Sequence, residues 1–240
     1  YDDSSPAWSP DGKKIAFVST RSGSPQIWTI DPSGGEAAQL TDISTGASGP
    51  LWSRDGRLLA FTSSVYPDAA DDEANRKKAE AAEKSKVKAR IYETLFYRYW
   101  NAWSDGTRSH VFVMPAEGGK PVDVTPGDFD APPLDLGGSP DYAFSPDGKE
   151  LAFVRNVDPE LKKGLGTNND VFVVPTTGGE PRRITTNRAN DNQPLYSPDG
   201  KYLAYRAMAR PGYESDKESL TLYDRTTGEP RRKFLVKSVS

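Results

Sequence analysis

Four times along the chain an aromatic residue leads into a polar turn and then into an alternating apolar run. The copies are Trp8-Ser9-Pro10-Asp11-Gly12-Lys13, Trp52-Ser53-Arg54-Asp55-Gly56-Arg57, Phe144-Ser145-Pro146-Asp147-Gly148-Lys149 and Tyr196-Ser197-Pro198-Asp199-Gly200-Lys201. The runs after them are Ile15-Ala16-Phe17-Val18, Leu59-Ala60-Phe61-Thr62, Leu151-Ala152-Phe153-Val154 and Leu203-Ala204-Tyr205. Asp-Gly tolerates the positive backbone angles of a tight hairpin, so each copy predicts two antiparallel strands around one turn. A small Ala between bulky neighbours lets one sheet lie close against another. A phrase repeated in this way marks a repeat architecture.

The first unit continues with two more strands, Gln26-Ile27-Trp28-Thr29-Ile30 and Ala38-Gln39-Leu40-Thr41. The turn formers Asp31-Pro32-Ser33-Gly34-Gly35-Glu36 lie between them. Four short strands in a meander are one blade of a β-propeller. Val171–Thr185 and Leu220–Pro230 repeat that ending. The expectation is an all-β chain of about four consecutive four-stranded blades, near residues 5–41, 50–125, 140–185 and 194–236, belonging to a larger or incomplete β-propeller.

The lead aromatics fall at 8, 52, 144 and 196, so the middle interval is about twice the others. The second unit has its own later strands, Val111–Pro115 and Pro121–Thr125, which makes residues 66–109 an insertion between its second and third strands. In a meander that loop shares a face with the connectors between blades. Asp68–Arg90 is rich in Ala, Lys and Glu, acidic at its start and basic at its end, which predicts a solvated helix about 30 Å long. Pairs four apart, Asp72/Arg76, Glu73/Lys77 and Glu80/Lys84, add to it. Beyond it Tyr92, Phe96, Tyr97, Tyr99, Trp100 and Trp103 crowd together around Arg98. Such a density of rings either packs the insertion onto the propeller or lines a recognition surface.

Composition narrows the function. Net charge is −3 with no long basic stripe, so nucleic acid and anionic membrane are not expected partners. No run of about 18 apolar residues occurs, so no helical span is expected. There is no Cys and one His, His110, which leaves no zinc ligand set and only one imidazole for a Ser-His-Asp relay. His110 opens a strand and reads as structural or as part of the rim. No Gly-x-Ser-x-Gly elbow occurs, and the Gly-Gly pairs precede strands, not helices, so they are turns. No catalytic residue, metal or cofactor is expected. The absence of Cys leaves the compartment open. The chain opens at Tyr1-Asp2-Asp3 without Met or a signal-like run, which reads as an internal piece of a longer protein.

The blade phrases resemble TolB-like, WD-like propeller repeats. A narrower resemblance runs through Leu95-Phe96-Tyr97-Arg98-Tyr99-Trp100, Trp103-Ser104-Asp105-Gly106-Thr107-Arg108-Ser109-His110-Val111-Phe112-Val113 and Met208-Ala209-Arg210-Pro211-Gly212-Tyr213-Glu214. These segments are similar to the propeller of the prolyl oligopeptidase family, in its dipeptidyl peptidase and acylaminoacyl peptidase branch. The resemblance implies a propeller that caps a C-terminal α/β-hydrolase domain of the same parent protein and limits entry to short peptides. The Glu-Glu pair that holds the substrate amine in some of these enzymes has no counterpart here. The end of the chain departs as well, with Phe234-Leu235-Val236-Lys237-Ser238 where a Leu-Thr type strand is expected.

The expected substrate-facing residues are Tyr97, Arg98, Trp100, Trp103 and Arg108 on the insertion, with Tyr213 and Glu214 on the matching loop of the fourth blade. Arg would meet a carboxylate and the rings a side chain. The alternative is a stand-alone TolB-like module that binds a partner protein. Open blade edges at both ends would favour self-association.

Overall fold

A computed structural model describes residues 1–87, 89–92, 97–99, 102–133, 140–158 and 166–235. It divides into two compact units, Tyr1–Ile91 with Asp105–Phe129, and Tyr92–Ser104 with Asp130–Ser240. Each unit holds two four-stranded antiparallel sheets, the blades of a β-propeller.

In unit one, blade one runs β1 (Asp3–Trp8), β2 (Ile15–Ser19), β3 (Gln26–Ile30) and β4 (Ala38–Gln39) in spatial order. Blade two begins with β5 (Ser48–Trp52) and β6 (Leu58–Val65). The chain then leaves through helix α1 (Asp72–Lys84) and a ribbon, β7 (Arg98–Tyr99) with β8 (Ala102–Trp103), that belongs to unit two. It returns as β9 (Arg108–Pro115) and β10 (Val122–Asp123). β6 and β9 pair as if nothing intervened, from Leu58 opposite Pro115 to Val65 opposite Arg108. In unit two, blade three is β11 (Tyr142–Phe144), β12 (Glu150–Asn156), β13 (Asn169–Pro175) and β14 (Arg182–Arg183). Blade four is β15 (Asp191–Tyr196), β16 (Tyr202–Ala207), β17 (Ser219–Asp224) and β18 (Glu229–Leu235).

The repeated turn is held by one hydrogen-bond pattern, used four times. Ser9, Ser53, Ser145 and Ser197 each donate a hydroxyl bond of 2.6 to 2.7 Å to the Asp two residues on. The same serine oxygen accepts the backbone N–H five residues on, which starts the next strand. The Gly of each copy sits at φ near +70°, where any side chain would be strained. The serine hydroxyl and the Asp carboxylate thus satisfy each other and the turn backbone, which would otherwise compete with the ladder.

A second lock closes the outer strand of three blades. Thr41, Thr125 and Thr185 accept the N–H of Ile27, Val111 and Val171 respectively, at 2.8 to 3.0 Å. The residue before each of those N–H groups is a buried polar one: Gln26, His110 and Asp170. Inner strands share a third device. β1, β5 and β15 each slip register at an x-Pro step, and Ser5, Gly49 and Gln193 there have φ of 51°, 63° and 51°. These are β-bulges, and Pro is tolerated in them because the ladder bond is already lost.

Packing between blades follows the apolar-Ala-aromatic phrase. In unit one, Ala16 and Ile27 of blade one meet Leu59, Phe61, Phe112 and Met114 of blade two. In unit two, Ala152, Val154, Val171 and Val173 of blade three meet Tyr196, Leu203, Tyr205 and Tyr223 of blade four. One blade offers small residues, and the next inserts large ones.

The helix is shorter than its composition indicates. It spans 13 residues, about 20 Å, and not Asp68–Arg90. Asp71 caps it by accepting the Ala74 N–H at 2.8 Å. Lys88 lies outside the described residues. The expected Asp72/Arg76 pair does not form: Asp72 accepts the backbone N–H and hydroxyl of Ser44, on the connector between blades one and two, and Arg76 holds Glu73 and Glu80. Glu73/Lys77 and Glu80/Lys84 pair as expected.

Candidate functional site

The described part of the aromatic segment is a ribbon built on two register pairs, Arg98 opposite Trp103 and Tyr99 opposite Ala102. Its closure is tied by the Ser104 N–H, which donates to Tyr97 O at 2.9 Å. The Tyr92 hydroxyl donates to Ser104 O at 2.9 Å and brings a third ring to the ribbon. Ring centroids lie 5.4 Å apart for Tyr92 and Tyr97, 6.0 Å for Tyr92 and Trp103, and 5.9 Å for Tyr97 and Trp103. Each spacing is in the range where aromatic pairs attract. The Arg98 guanidinium lies 5.6 Å from the Trp103 ring centre. Arg98 itself is exposed, and Tyr97 and Trp103 keep 44% and 48% of their surface open.

Three of the expected contact residues therefore form one cluster, and the rings are both packed on one another and open to a ligand. Such a surface can take an apolar or aromatic side chain on the rings and a carboxylate on the guanidinium. Tyr92 is the member that sequence reasoning left out of the site. Its signal was present in the same crowd of aromatics, but nothing in the spacing says that its hydroxyl closes the ribbon. Trp100 lies outside the described residues.

Tyr213 and Glu214 stand on the loop between β16 and β17. Both are exposed. Tyr213 lies under the Arg210 guanidinium at 4.5 Å, and Arg210 is fixed by Asp216 through a 2.8 Å Nε bond. Asp216 also accepts the backbone N–H groups of Ala209 and Arg210. Arg210 first, and then these amides, hold its carboxyl well below the usual range. The loop is a preformed turn that presents one tyrosine face.

Arg108 sits in unit one at the start of β9, with its Nε 2.8 Å from Asp128. That pairing uses part of the charge that the sequence assigned to substrate. His110 is buried two residues further on. Its Nδ1 lies 2.7 Å from Asp123 Oδ2 and its Nε2 donates to Gly127 O at 2.9 Å. Both ring nitrogens are engaged in holding blade two. A cleft of about 590 Å³ lies beside it, with Ile43, Val65, Tyr66, Phe112 and Met114 in its lining. Among the described residues, no group of three or more His, Cys, Asp or Glu could hold a metal ion.

Comparison with known proteins agrees with this architecture. The TolB beta propeller domain family matches residues 2–82. Dipeptidyl-peptidase 5 of Porphyromonas endodontalis is 35% identical over 219 residues, which are 88% of this chain and 30% of that protein. The acylaminoacyl peptidase of Pyrococcus horikoshii superposes with a TM-score of 0.64 at 18% identity, covering 96% of this chain and 31% of that one. TolB from Acinetobacter baumannii gives 0.55 at 19% identity, covering 99% of this chain and 44% of that one. The two structural likenesses speak for the fold. The chain spans about a third of the length of the dipeptidyl-peptidase 5 proteins it matches. Its fold is a β-propeller, TolB-like over residues 2–82, and its sequence is similar over most of its length to one part of the dipeptidyl-peptidase 5 proteins.

Proposed function

We propose that this chain is the non-catalytic propeller part of a serine exopeptidase of dipeptidyl- or acylaminoacyl-peptidase type. It gates short peptides and helps position them for an α/β-hydrolase domain of the same parent protein. The observation that carries this reading is the likeness to dipeptidyl-peptidase 5, which takes in nearly all of this chain and under a third of that protein. Two features support it. The chain's one histidine is committed at both nitrogens to Asp123 and Gly127, so its role is to hold a blade. The insertion supplies an exposed ring cluster topped by Arg98, which suits the side chain and free carboxylate of a short peptide.

The test is the full reading frame that contains this stretch, assayed on chromogenic dipeptidyl and acyl-aminoacyl substrates of graded length. Hydrolysis is expected. Trp103→Ala with Tyr97→Ala is expected to raise KM for short peptides about fivefold with kcat unchanged, the size of one lost aromatic contact. A frame without hydrolase activity, or a double variant with unaltered KM at every length, overturns the gating role. The first outcome favours a stand-alone TolB-like interaction module.

A further inference from the structure

The cleft in unit one is a concave site that the gating role leaves unused. Its volume of about 590 Å³ is that of a small-ligand pocket. Every residue lining it belongs to unit one, and Tyr92, Tyr97, Arg98 and Trp103 of the ring cluster are not among them. The floor is apolar: Ile43, Phe112 and Met114 are buried members of the core between blades one and two. Ala69 and Ala70, just before α1, add small side chains to the wall and leave the space open.

Strand register fixes the two ends of that floor. Val65 pairs with Arg108, so the chain that leads into α1 starts at the His110 end of β9. Val122 and Asp123 pair with Val113 and Phe112, so Lys120 falls beyond Met114, at the other end. Asp42 belongs to the first end, because Ser44 donates its N–H and its hydroxyl to Asp72, at the start of α1, at 2.9 and 2.8 Å. From His110 to Met114 is four residue steps, about 13 Å by strand rise. The two ends differ in charge. Asp42, Asp71 and Asp72 line the first, and none of them is paired with a cation among the described residues. Asp71 and Asp72 accept amide and hydroxyl bonds, which leave their charge in place. Lys120 is exposed at the second end, the only Lys or Arg in the lining, and it has no carboxylate partner among the described residues.

We infer that this cleft binds a free peptide of about four residues with apolar side chains, its α-amino group toward Asp42 and its carboxylate toward Lys120. Charge complementarity selects the occupant. A fatty acid would satisfy Lys120 and leave three carboxylates facing hydrocarbon, and an apolar amine would leave Lys120 without a partner. A single amino acid carries both charges but cannot span the floor. An extended chain gains at most about 3.6 Å per residue, so four residues bring an ammonium to one end and a carboxylate to the other. Their side chains then lie on Ile43, Phe112 and Met114, where burial of apolar surface supplies the affinity and the two charges set the direction. The site needs only blades one and two and the entry to α1, so it stands for a peptidase propeller and for an interaction module alike.

Photo-crosslinking of the full reading frame with the tetrapeptide Leu-Ala-Leu-Ala, its third residue replaced by diazirine leucine, tests this independently of any peptidase assay. Adducts with the mass of the intact probe are expected on Ile43, Phe112 or Met114. Acetylating the probe's amine, or amidating its carboxylate, should each lower that labelling about threefold, the size of one exposed ion pair. Asp42→Asn is expected to remove the effect of acetylation and keep that of amidation, and Lys120→Gln the reverse. Both positions are exposed, so a fold defect would lower all labelling alike and would not split the two caps. Adducts confined to Tyr97 and Trp103 support the gating surface and overturn this site. Labelling of the floor that ignores both caps, or responds to amidation alone as for a fatty acid, overturns the peptide as occupant.

Discussion

At the scale of single residues, the most repeated chemistry is the Ser-x-Asp-Gly turn. Asp11, Asp55, Asp147 and Asp199 all have carboxyls held below the ordinary value of 3.8, first by the serine hydroxyl and then by the backbone N–H two residues on. A carboxyl whose folded value is depressed lends stability above its unfolded value and loses it as pH falls through the folded one. The turns are therefore expected to strengthen the fold fully above about pH 5 and to weaken on acidification below 3.8. Replacing all four Asp by Asn should lower the melting temperature at pH 7 and change it far less at pH 2.5, so that the two melting curves converge in acid. These turns were legible in the sequence because a hairpin depends on neighbours a few residues apart. The buried row of Gln26, His110 and Asp170 was not, since three unlike side chains fill one structural position. What they share is the next residue's backbone N–H, bound each time by a threonine fourteen residues further on, a spacing visible in the sequence but meaningless until the strands are paired. The three differ in electrostatics too. Burial pushes the Asp170 carboxyl up, against the bond from Thr185 and the charge of Arg183.

At the scale of elements, the helix shows where composition misleads. Past Lys84 the basic residues fall four apart, Lys84 with Lys88 and Lys86 with Arg90, which are like-charge pairs that disfavour further turns. Its hold on blade two comes from an unassuming residue. Asn75 is buried, accepts the Tyr66 N–H at 2.7 Å and donates to Asp71 O at 3.1 Å. Asn75→Ala leaves the Tyr66 amide without that partner and should cost about 1 to 3 kcal/mol, seen as faster limited proteolysis between residues 66 and 91. No alternation or charge pattern singles out Asn75, because its partner lies outside the helix. Outer strands were read too long for a similar reason. β4, β10 and β14 are two residues each, and the Thr locks supply the bonds that longer strands would have made. Short edges of that kind blunt sheet-to-sheet sticking, which argues against self-association through the rims of those three blades.

At the scale of the whole molecule, the insertion and the blade that carries it are separable. Val65 and Arg108 face each other at the end of the β6–β9 ladder, so an Asn-Gly turn can join them in place of residues 66–107. Far-UV circular dichroism of the full frame with that excision should keep its β signature. Its discrimination between short and long peptides should disappear, and retained discrimination would move the gate elsewhere. The number of blades, their strand order and the site of the insertion were legible because the repeat compares the chain with itself. The division into two units was not. The segment Tyr92–Ser104 lies in the second blade by sequence and with the third and fourth by contact, and only coordinates reveal such a crossing.

His110 is the one histidine in 240 residues. In a magnetic resonance spectrum its imidazole signals need no assignment, because no other ring can produce them. With Asp123 and Gly127 on its two nitrogens, those signals report on the closure of β9 against the segment that follows it. Blade two of this 240-residue chain thus carries its own probe of whether that strand stays closed.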